Sequence, residues 1–298
     1  MQQIRIISRN SKLALWQAEF VKEKLIAIQP GLEVKIISIT TQGDKIIDKA
    51  LDKVGGKGLF IKELENALIE DKADIAVHSL KDISVDLASN FVLAAILERG
   101  DAKDAFISNK YNSLEDMADS SIIGTSSNRR IALLKRFYPK LQTKLLRGNV
   151  DTRLKKIDSG EYDGIILAAA GLQRLGFANR IKQNLDVTKF IPAIGQGALA
   201  VEILKERNDL IKFLAPLIHQ NTKIVVAAER EVGRIIGADC SIPIGVYASL
   251  EKDKIIINAM MANIEKDLYY FAEVIGHKDK FLELAKECAN KIIEQIEK

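Results

Sequence analysis

The sequence contains few of the residues on which metal sites and disulfide frameworks depend: two cysteines and three histidines in 298 residues. Two cysteines cannot build a disulfide framework, and neither a C-x-x-C motif nor a paired-histidine spacing indicates zinc. No apolar run approaches the ~20 residues of a membrane helix, and the opening residues, MQQIRIISRN, lack the apolar core of a signal peptide. We therefore expect a cytoplasmic protein without a metal site or a membrane segment.

The chain also lacks a strong excess of positive or negative charge. The chain has 44 Lys and Arg against 40 Asp and Glu, a net charge of +4. So small an excess gives no indication of a nucleic-acid partner. The composition, 47% hydrophobic and 28% charged, is typical of a globular protein, and the length predicts two or three domains.

Short apolar runs alternate with amphipathic helical patterns in the first third of the chain. The predicted strands are IRIIS (4–8), EVKIISIT (33–40), ADIAVHS (73–79) and FVLAAIL (91–97), and the predicted helices are 11–30 and 60–71. This alternation predicts a mostly parallel sheet covered on both faces. ERGDAKDA (98–105) and KFIPAIGQGA (189–198) resemble crossings that enclose a second α/β set. Its predicted strands are SIIGT, TKLLR (143–147) and DGIILAAA, and its predicted helices begin at about Asn128 and near residue 149. ALAVEIL (198–204) predicts a strand returning to the first sheet.

The chain changes character after Asn221. A helical pattern runs to about Ile236, and three strand candidates, GVYASL, KIIINAMM and LYYFAEVIG, follow at hairpin spacing before a final helix. Grouped strands with flanking helices predict a small α+β domain. The predicted domains are residues 1–97 with 198–216, residues 103–191, and residues 220–298.

The two cysteines occupy different contexts. Cys288 falls on the apolar face of the final helix and is predicted to be a small core residue. Cys240 lies in the glycine-flanked loop GADCSIPIG and has no periodic context. Two interpretations stay open from the residues: a buried cysteine that packs as a small hydrophobe, or a reactive thiol whose pKa is lowered by cations such as Arg230 and Arg234.

Arginines occur at three predicted strand-to-helix junctions: ISRNSKLALW (7–16), GTSSNRR (124–130) and LRGNVDTRL (145–153). Helix N-termini attract anions, and arginine adds a bidentate grip on carboxylate or phosphate. A single arginine is usually a solvated surface residue. Three clusters at the carboxyl ends of strands, where open α/β sheets bind ligands, instead indicate a ligand with several negative groups.

Two further segments carry charge near predicted strands or helices. DKVGGKGLF (52–60) has glycines that predict a mobile loop, but it is not a Walker A motif because Gly58 replaces the required Ser or Thr. VHSLKD (77–82) ends a strand with Lys81 and Asp82. Asp82 is interpreted either as a helix cap or as an acid that stabilises a positive group on a substrate.

Eight segments, taken together and in this order, resemble one family. They are RNSKLALWQ, VGGKGLFIKELE, DIAVHSLKD, GTSSNRR, LRGNVDTRL, AAAGLQRLG, IPAIGQGA and the Cys240 loop. The chain resembles the hydroxymethylbilane synthases, also called porphobilinogen deaminases, over about residues 4 to 247. It departs from the family pattern at Lys12, Gln42 and Ala238-Asp239, none of which carries central chemistry.

The resemblance implies a fold and an activity. The implied fold is two periplasmic-binding-protein-like (type II) α/β domains around a cleft, with mostly parallel sheets, plus a C-terminal α+β domain with a small antiparallel sheet. The implied enzyme is a transferase of tetrapyrrole (haem) biosynthesis whose cysteine, here Cys240, bears a dipyrromethane cofactor through a thioether. Four porphobilinogen units each lose ammonia, by way of an electrophilic azafulvene, and join this primer. Hydrolysis then releases linear hydroxymethylbilane.

The resemblance also implies residue roles. Asp82 is the catalytic acid. The implied cofactor-binding residues, besides Cys240, are Lys81, Asp82, Ser127, Arg129 and Arg130. The implied substrate-binding residues are Arg9, Ser11, Phe60, Arg147, Arg153, Arg174 and Gln196. Lys53 and Lys57 belong to the mobile loop, no metal is implied, and the partners are porphobilinogen and the growing polypyrrole chain of a monomeric enzyme.

Two rival functions fit part of the pattern. A cytosolic anion-binding module without chemistry would share the two-domain architecture, because fold does not fix function. A transferase with a cysteine-linked acyl intermediate would also use Cys240, but the sequence places no histidine base beside it. The intact mass of the purified protein discriminates among these hypotheses.

Overall fold

The computed structural model describes the backbone of residues 1–41, 58–238 and 242–297, and side chains throughout these ranges except at 58–60. In chain order the strands are β1 (Gln3–Arg9), β2 (Glu33–Ile39), β3 (Ile75–Ser79), β4 (Phe91–Ile96), β5 (Asp104–Ile107), β6 (Ile122–Gly124), β7 (Gln142–Lys144), β8 (Gly164–Ala168), β9 (Gln183–Asn184), β10 (Leu199–Leu204), β11 (Ile244–Glu251), β12 (Lys254–Asn263) and β13 (Leu268–His277). The helices are α1 (Lys12–Ile28), α2 (Gly58–Ile69), α3 (Asn128–Phe137), α4 (Val150–Asp158), α5 (Ala169–Arg174), α6 (Asn208–Leu214), α7 (Gln220–Ile236) and α8 (Phe281–Ile296).

The chain divides into two compact units. The first comprises Met1–Gly100 and Ala198–Lys223, and the second comprises Asp101–Gly197 and Ile224–Lys298. The chain therefore leaves the first unit and returns to it within the two segments that the sequence marks as crossings. The finer division into three domains stays a prediction.

The first unit is built on a five-stranded sheet of order β2-β1-β3-β10-β4. β1 pairs in parallel with β2 and β3, whereas β10 runs antiparallel between β3 and β4. The predictions of a mostly parallel sheet and of a returning strand at residues 198–204 are confirmed.

Helices cover both faces of this sheet. One buried cluster joins α1 to the sheet through Ala18, Val21, Leu25, Ile4, Ile6 and Val77. The other joins α2 to it through Leu64, Leu68, Ile7 and Ala76. Successive strand residues point to opposite faces, so β1 sends Ile6 into one cluster and Ile7 into the other. This explains why the adjacent residues Ile6 and Ile7 are both apolar and both buried.

The second unit contains a sheet of the same pattern, with order β7-β6-β8-β5-β9. β6 pairs in parallel with β7 and β8, and β5 runs antiparallel to β8 and β9. The packing is close at Gly164, where an added Cβ would lie 2.4 Å from Phe106 Cε2. Any larger residue there would displace the Phe106 ring from the core.

Three details of this sheet differ from the sequence predictions. β5 begins at Asp104, inside the predicted crossing at residues 98–105. The strand was not predicted because its four residues are too few to show a periodic pattern. β9 has only two residues and was not predicted. β7 ends at Lys144, whereas the predicted strand TKLLR ran to Arg147.

A three-stranded antiparallel sheet of order β11-β12-β13 follows, and α8 packs on it. The predicted strands, the final helix and the α+β character of this region are confirmed. Cys288 is fully buried on α8, as predicted for a core residue. Burial raises the pKa of its thiol to about 12, so the group stays protonated and chemically inert at neutral pH.

The described ranges contain neither a membrane-spanning helix nor a metal cluster. None of their helices combines the length and apolar character that spanning a bilayer requires. No group of three His, Cys, Asp or Glu side chains within these ranges is arranged to hold a metal ion.

Candidate active site

A cleft of about 60 Å³ lies at the carboxyl-terminal edge of the first sheet. Its polar lining residues are Arg9, Ser11, Gln17, His78, Ser79 and Asp82. Arg9 ends β1, and Asp82 ends the 3₁₀ turn that follows β3. Because β1 and β3 are neighbouring parallel strands, their ends meet at one edge. The structure thus brings together Arg9, Ser11 and Asp82, which the sequence singled out in separate segments.

Ser11 also has a structural role in this cleft. It is the N-cap of α1, and its hydroxyl oxygen accepts a hydrogen bond from the Ala14 N–H at 3.2 Å. Gln17, which is 2% exposed, donates from Nε2 to Ser79 Oγ at 2.7 Å and ties α1 to β3. Gln17 was not among the predicted site residues, although a polar residue beside Ala18 on an apolar helix face was an available signal.

Lys81 and Asp82 occupy the same turn, Leu80–Asp82, and both are half-buried. Asp82 lines the cleft, and Lys81 does not. Asp82 is therefore a half-buried carboxylate that ends a short turn and lines the cleft. The catalytic role of Asp82 stays a prediction.

A buried histidine–glutamate pair adjoins this cleft and was not predicted. His78 Nε2 lies 3.0 Å from Glu202 Oε2, and the two side chains are 5% and 0% exposed. Glu202 is the single charged residue of the run ALAVEIL (198–204). A charge inside an otherwise apolar central strand was the signal that something must neutralise it.

The centre of the second unit's polar site is Asp104, which is fully buried. Its Oδ1 accepts hydrogen bonds from Arg130 Nη2 at 2.6 Å, Arg130 Nε at 3.1 Å and Gln196 Nε2 at 3.0 Å. Its Oδ2 lies 2.7 Å from Arg129 Nη1. Both arginines belong to the first turn of α3, whose N-cap Ser127 accepts a hydrogen bond from the Arg130 N–H. One carboxylate therefore holds two guanidinium groups.

The electrostatics of this cluster are unbalanced. Burial raises the pKa of the Asp104 carboxyl, but the positive charges of Arg129 and Arg130 outweigh burial and bring it well below its usual range. Burial lowers the pKa of Arg129, and the charge of Arg130 lowers it further, against the opposing effect of Asp104. Among the described residues of this cluster, two cations face one anion, and such an excess of positive charge in a buried setting favours an additional anion.

Direct contacts of Arg129 and Arg130 with a ligand stay predictions. The two residues are 4% and 6% exposed, and their guanidinium groups already bond within the protein. Besides Asp104, Arg129 Nη1 donates to the Ile191 carbonyl at 2.7 Å and Arg130 Nη1 to the Ile166 carbonyl at 2.8 Å. Their long-range charge is available to a ligand even where their donors are already used.

Three further predicted cations lie in the segments after β7 and β8: Arg147 follows β7, Arg153 is in the first turn of α4, and Arg174 ends α5. Arg147 is 7% exposed, Arg153 Nε donates to the Gly148 carbonyl at 2.7 Å, and Arg174 Nη2 donates to the Gly197 carbonyl at 2.6 Å. Burial lowers the pKa of Arg174 to about 10. β7, β6 and β8 are neighbouring parallel strands, so the segments that follow them share one edge of the sheet.

Gln196 is fully buried and bonds internally. Its Nε2 donates to the Ala102 carbonyl at 2.7 Å in addition to Asp104. It therefore supports the Asp104 cluster from the segment that precedes β10. Its predicted role in substrate binding stays a prediction.

Two contacts anchor the segments on either side of Cys240. Glu229 on α7 is fully buried and accepts hydrogen bonds from the Gly195 N–H at 2.7 Å and the Ala248 N–H at 2.8 Å. Gly245 lies so close to its neighbours that an added Cβ would be 2.7 Å from the Ile191 carbonyl oxygen and 3.0 Å from Arg129 Cδ. The strand that follows the cysteine loop is thus packed against the Arg129 side chain.

Several predicted features lie outside the described residues. These are Cys240, Lys53, Lys57 and the departures at Gln42 and Asp239, together with the side chain of Phe60. Their predicted roles stay predictions.

Asp104→Asn is expected to destabilise the protein by about 3–5 kcal/mol, because removing one partner from a buried ionic cluster leaves an uncompensated charge. The folded-state pKa of Asp104 is depressed, so its stabilisation is present above the unfolded-state value of ~3.9 and is lost as the pH falls toward the folded value. Urea unfolding at pH 7 and in acid measures both effects, and the difference from wild type should shrink in acid.

The matched control for this substitution is Asp119→Asn, which breaks the exposed ion pair with Lys140. Exposed pairs contribute little, so the unfolding midpoint should barely change. Equal midpoints for the Asp104 and Asp119 variants at pH 7 would contradict the ionic role assigned to Asp104.

Two solved structures illustrate the structural neighbours of the chain. The methionine-binding protein MetQ aligns with a TM-score of 0.47 at 13% identity and covers 77% of this chain and 95% of its own. A putative methionine-binding lipoprotein from Bacillus subtilis aligns with a TM-score of 0.47 at 14% identity and covers 74% and 91%.

Relatives in sequence are much closer. The porphobilinogen deaminase of Laribacter hongkongensis is 48% identical over 295 residues, which cover 99% of this chain and 96% of that protein. The porphobilinogen deaminase of Chromobacterium violaceum is 48% identical over 294 residues, with 99% and 95% covered. The family model described as the dipyrromethane cofactor binding domain of porphobilinogen deaminase matches residues 4–212, and that of the C-terminal domain matches residues 223–294. The chain belongs to the porphobilinogen deaminase family of transferases, and its first family domain is the one that binds the dipyrromethane cofactor.

Proposed function

We propose that the protein is a hydroxymethylbilane synthase that joins four porphobilinogen units in sequence, with loss of ammonia, to a dipyrromethane primer on Cys240. Hydrolysis then releases the linear tetrapyrrole. Family membership supports the reaction, and the residue roles are those that the resemblance of the motifs implies. The observation in this structure that supports them best is the unbalanced cluster of Arg129, Arg130 and Asp104.

The residues of the second unit fit the cofactor in charge. Dipyrromethane carries acetate and propionate on its rings, so a site for it must supply cations. Within the described residues, the Asp104 cluster holds two cations against one anion. Arg174 is a half-buried cation in the same unit, and burial lowers its pKa to about 10. Cofactor carboxylates near these groups would stabilise the charged arginines of the cluster and the charged form of Arg174, because an opposite charge favours the charged form of each group. When bound, the cofactor supplies an electron-rich pyrrole carbon as the starting point for chain growth.

The cleft of the first unit suits the deamination step. Arg9 offers a guanidinium that can bind a substrate carboxylate in a bidentate way. Asp82 offers a negative charge beside the position where positive charge develops on the substrate as ammonia departs with the C–N electron pair. A carboxylate already held by the protein stabilises that charge without reorganisation, and such stabilisation is often among the largest contributions to catalysis.

The other assignments belong to the same proposal. Lys81, Ser127, Arg129 and Arg130 assist cofactor binding, and Ser11, Phe60, Arg147, Arg153, Arg174 and Gln196 assist substrate binding. Lys53 and Lys57 belong to the glycine-rich segment DKVGGKGLF (52–60). The three-domain division, the cytoplasmic location and the monomeric state complete the proposal.

Arginine-to-lysine variants test whether these residues bind carboxylates. Arg147→Lys and Arg174→Lys keep the charge but lose the planar fork, so each should lower kcat/KM by roughly ten- to a hundredfold, the range of one charge-assisted hydrogen bond. Ammonia release from porphobilinogen measures the rate, and intact mass spectrometry after limited substrate shows at which chain length the enzyme accumulates.

Arg180→Lys is the control, because the ion pair of Arg180 with Asp158 lies at the surface. It should match wild type in rate and in chain-length distribution. If the Arg147 and Arg174 variants also matched wild type, the carboxylate-binding proposal would be wrong.

A further inference from the structure

The buried pair His78–Glu202 has no role in the function proposed above. The two residues lie on the neighbouring antiparallel strands β3 and β10, with His78 opposite Ala200 and Glu202 opposite Ala76. Since strand residues two apart point to the same face, both side chains lie on one side of the sheet. His78 also lines the cleft that contains Arg9 and Asp82.

A second carboxylate, Glu65 on α2, interacts with the pair. Burial raises the pKa of the Glu65 carboxyl on α2, and the charge of Glu202 raises it further, against an opposing effect of His78. Glu202 Oε1 is fully buried and has no hydrogen-bond partner among the described residues. A buried carboxylate that has a hydrogen-bond partner on only one oxygen relies on that partner to stabilise its charge. Here the partner is the His78 imidazole.

This contact sets the chemistry of the ring. If Nε2–H donates to Glu202, Nδ1 carries the lone pair and is the nitrogen that can accept a proton. A carboxylate behind an imidazole holds that tautomer and stabilises the imidazolium formed on proton uptake. An imidazole supported in this way, in the lining of a cleft, has the properties of a general base.

We propose that His78, oriented by Glu202, accepts the proton that each condensation releases. This inference rests on the proposed function. In each condensation a C–C bond forms between the methylene carbon of the incoming unit and the α-carbon of the acceptor pyrrole. The α C–H bond then breaks, its electron pair returns to the ring, and the proton passes to His78 Nδ1. His78 transfers it to the departed ammonia, which leaves as ammonium, and the neutral imidazole is restored.

Nitrogen-15 NMR of the imidazoles tests the orientation without any need for turnover. The chain has only three histidines, so their signals are readily separated. Wild type should show His78 protonated on Nε2 with Nδ1 bare, and Glu202→Gln should weaken this preference while His219 and His277 stay unchanged. A wild-type His78 protonated on Nδ1 and bare on Nε2 would overturn the proposal.

Chemical rescue tests the proton transfer itself. His78→Ala should lower kcat by about 10²- to 10⁴-fold, the usual contribution of general acid–base catalysis. Added imidazoles should restore the rate, and the restored rate should rise with the pKa of the added base. His219→Ala, in the same unit, should keep the wild-type rate and gain nothing from imidazole.

Three results for a folded His78→Ala protein would overturn the inference: a rate within threefold of wild type, no rescue, or a rescue independent of the pKa of the base. The last would mean that imidazole only fills space. These outcomes leave the proposed function intact as long as wild type releases ammonia from porphobilinogen. Failure of wild type to do so would refute the proposed function instead.

Discussion

Asp82→Asn is expected to lower kcat by about a hundredfold or more and to change KM by only a few-fold. Removing one preorganised electrostatic group from an active site typically costs 10²–10³ in kcat. Asparagine keeps the size of the side chain and one acceptor oxygen but loses the charge that offsets a developing cation. Because that interaction belongs to the transition state, the loss appears in kcat rather than in KM. Steady-state ammonia release over a range of porphobilinogen concentrations separates the two parameters.

Asp86→Asn is the matched control, since Asp86 is exposed and lies in the same segment as Asp82. It should behave as wild type. If Asp82→Asn kept kcat within about threefold of wild type, under ~1 kcal/mol of barrier, Asp82 would be a structural residue of its turn. The proposed deamination step would then need another source of negative charge.

The edge of the first sheet could be predicted from the sequence because its signals are local. Apolar runs identified β1 and β3, and parallel pairing required their carboxyl ends to meet. Arg9 and Asp82 were each singled out near the carboxyl end of a predicted strand, and the parallel pairing of β1 with β3 brings them to one edge. The same reasoning identified Cys288 as a core residue, since its helical neighbours are apolar at regular spacing.

The buried ionic contacts could not be predicted in this way. Asp104 and Arg130 are 26 residues apart, and His78 and Glu202 are 124 apart. Periodicity reports which face of an element is buried, but it carries no information about which distant charge lies opposite. Asp104 was further obscured because it opens a four-residue strand inside a segment that resembles a crossing. As a result, Arg129 and Arg130 were assigned to a ligand without the carboxylate that holds them.

Cys240→Ser is expected to abolish both cofactor attachment and turnover. A serine hydroxyl is a far weaker nucleophile than a thiolate at neutral pH, so the thioether should not form. The described segments that flank Cys240 in sequence favour a primer there: Gly245 packs against Arg129, and Glu229 on α7 accepts hydrogen bonds from the Gly195 and Ala248 N–H groups. A primer attached at Cys240 would therefore start close in sequence to a strand that contacts the cation cluster.

Cys288→Ser is the control for this substitution. Cys288 is buried, and its pKa is raised to about 12 by burial, so it is not expected to react with a pyrrole electrophile. The variant should keep the cofactor and the wild-type rate. Loss of the cofactor from a folded Cys288→Ser protein would indicate attachment at Cys288 and would contradict the assignment to Cys240.

The intact mass of the purified protein tests the central claim most directly. Wild type and Cys288→Ser should be heavier than their sequences by two linked pyrrole units, and a thiol reductant should not remove the increment because a thioether is not a disulfide. Cys240→Ser should have the mass of its sequence alone. A wild-type protein with the mass of its bare sequence and full turnover of porphobilinogen would contradict the account.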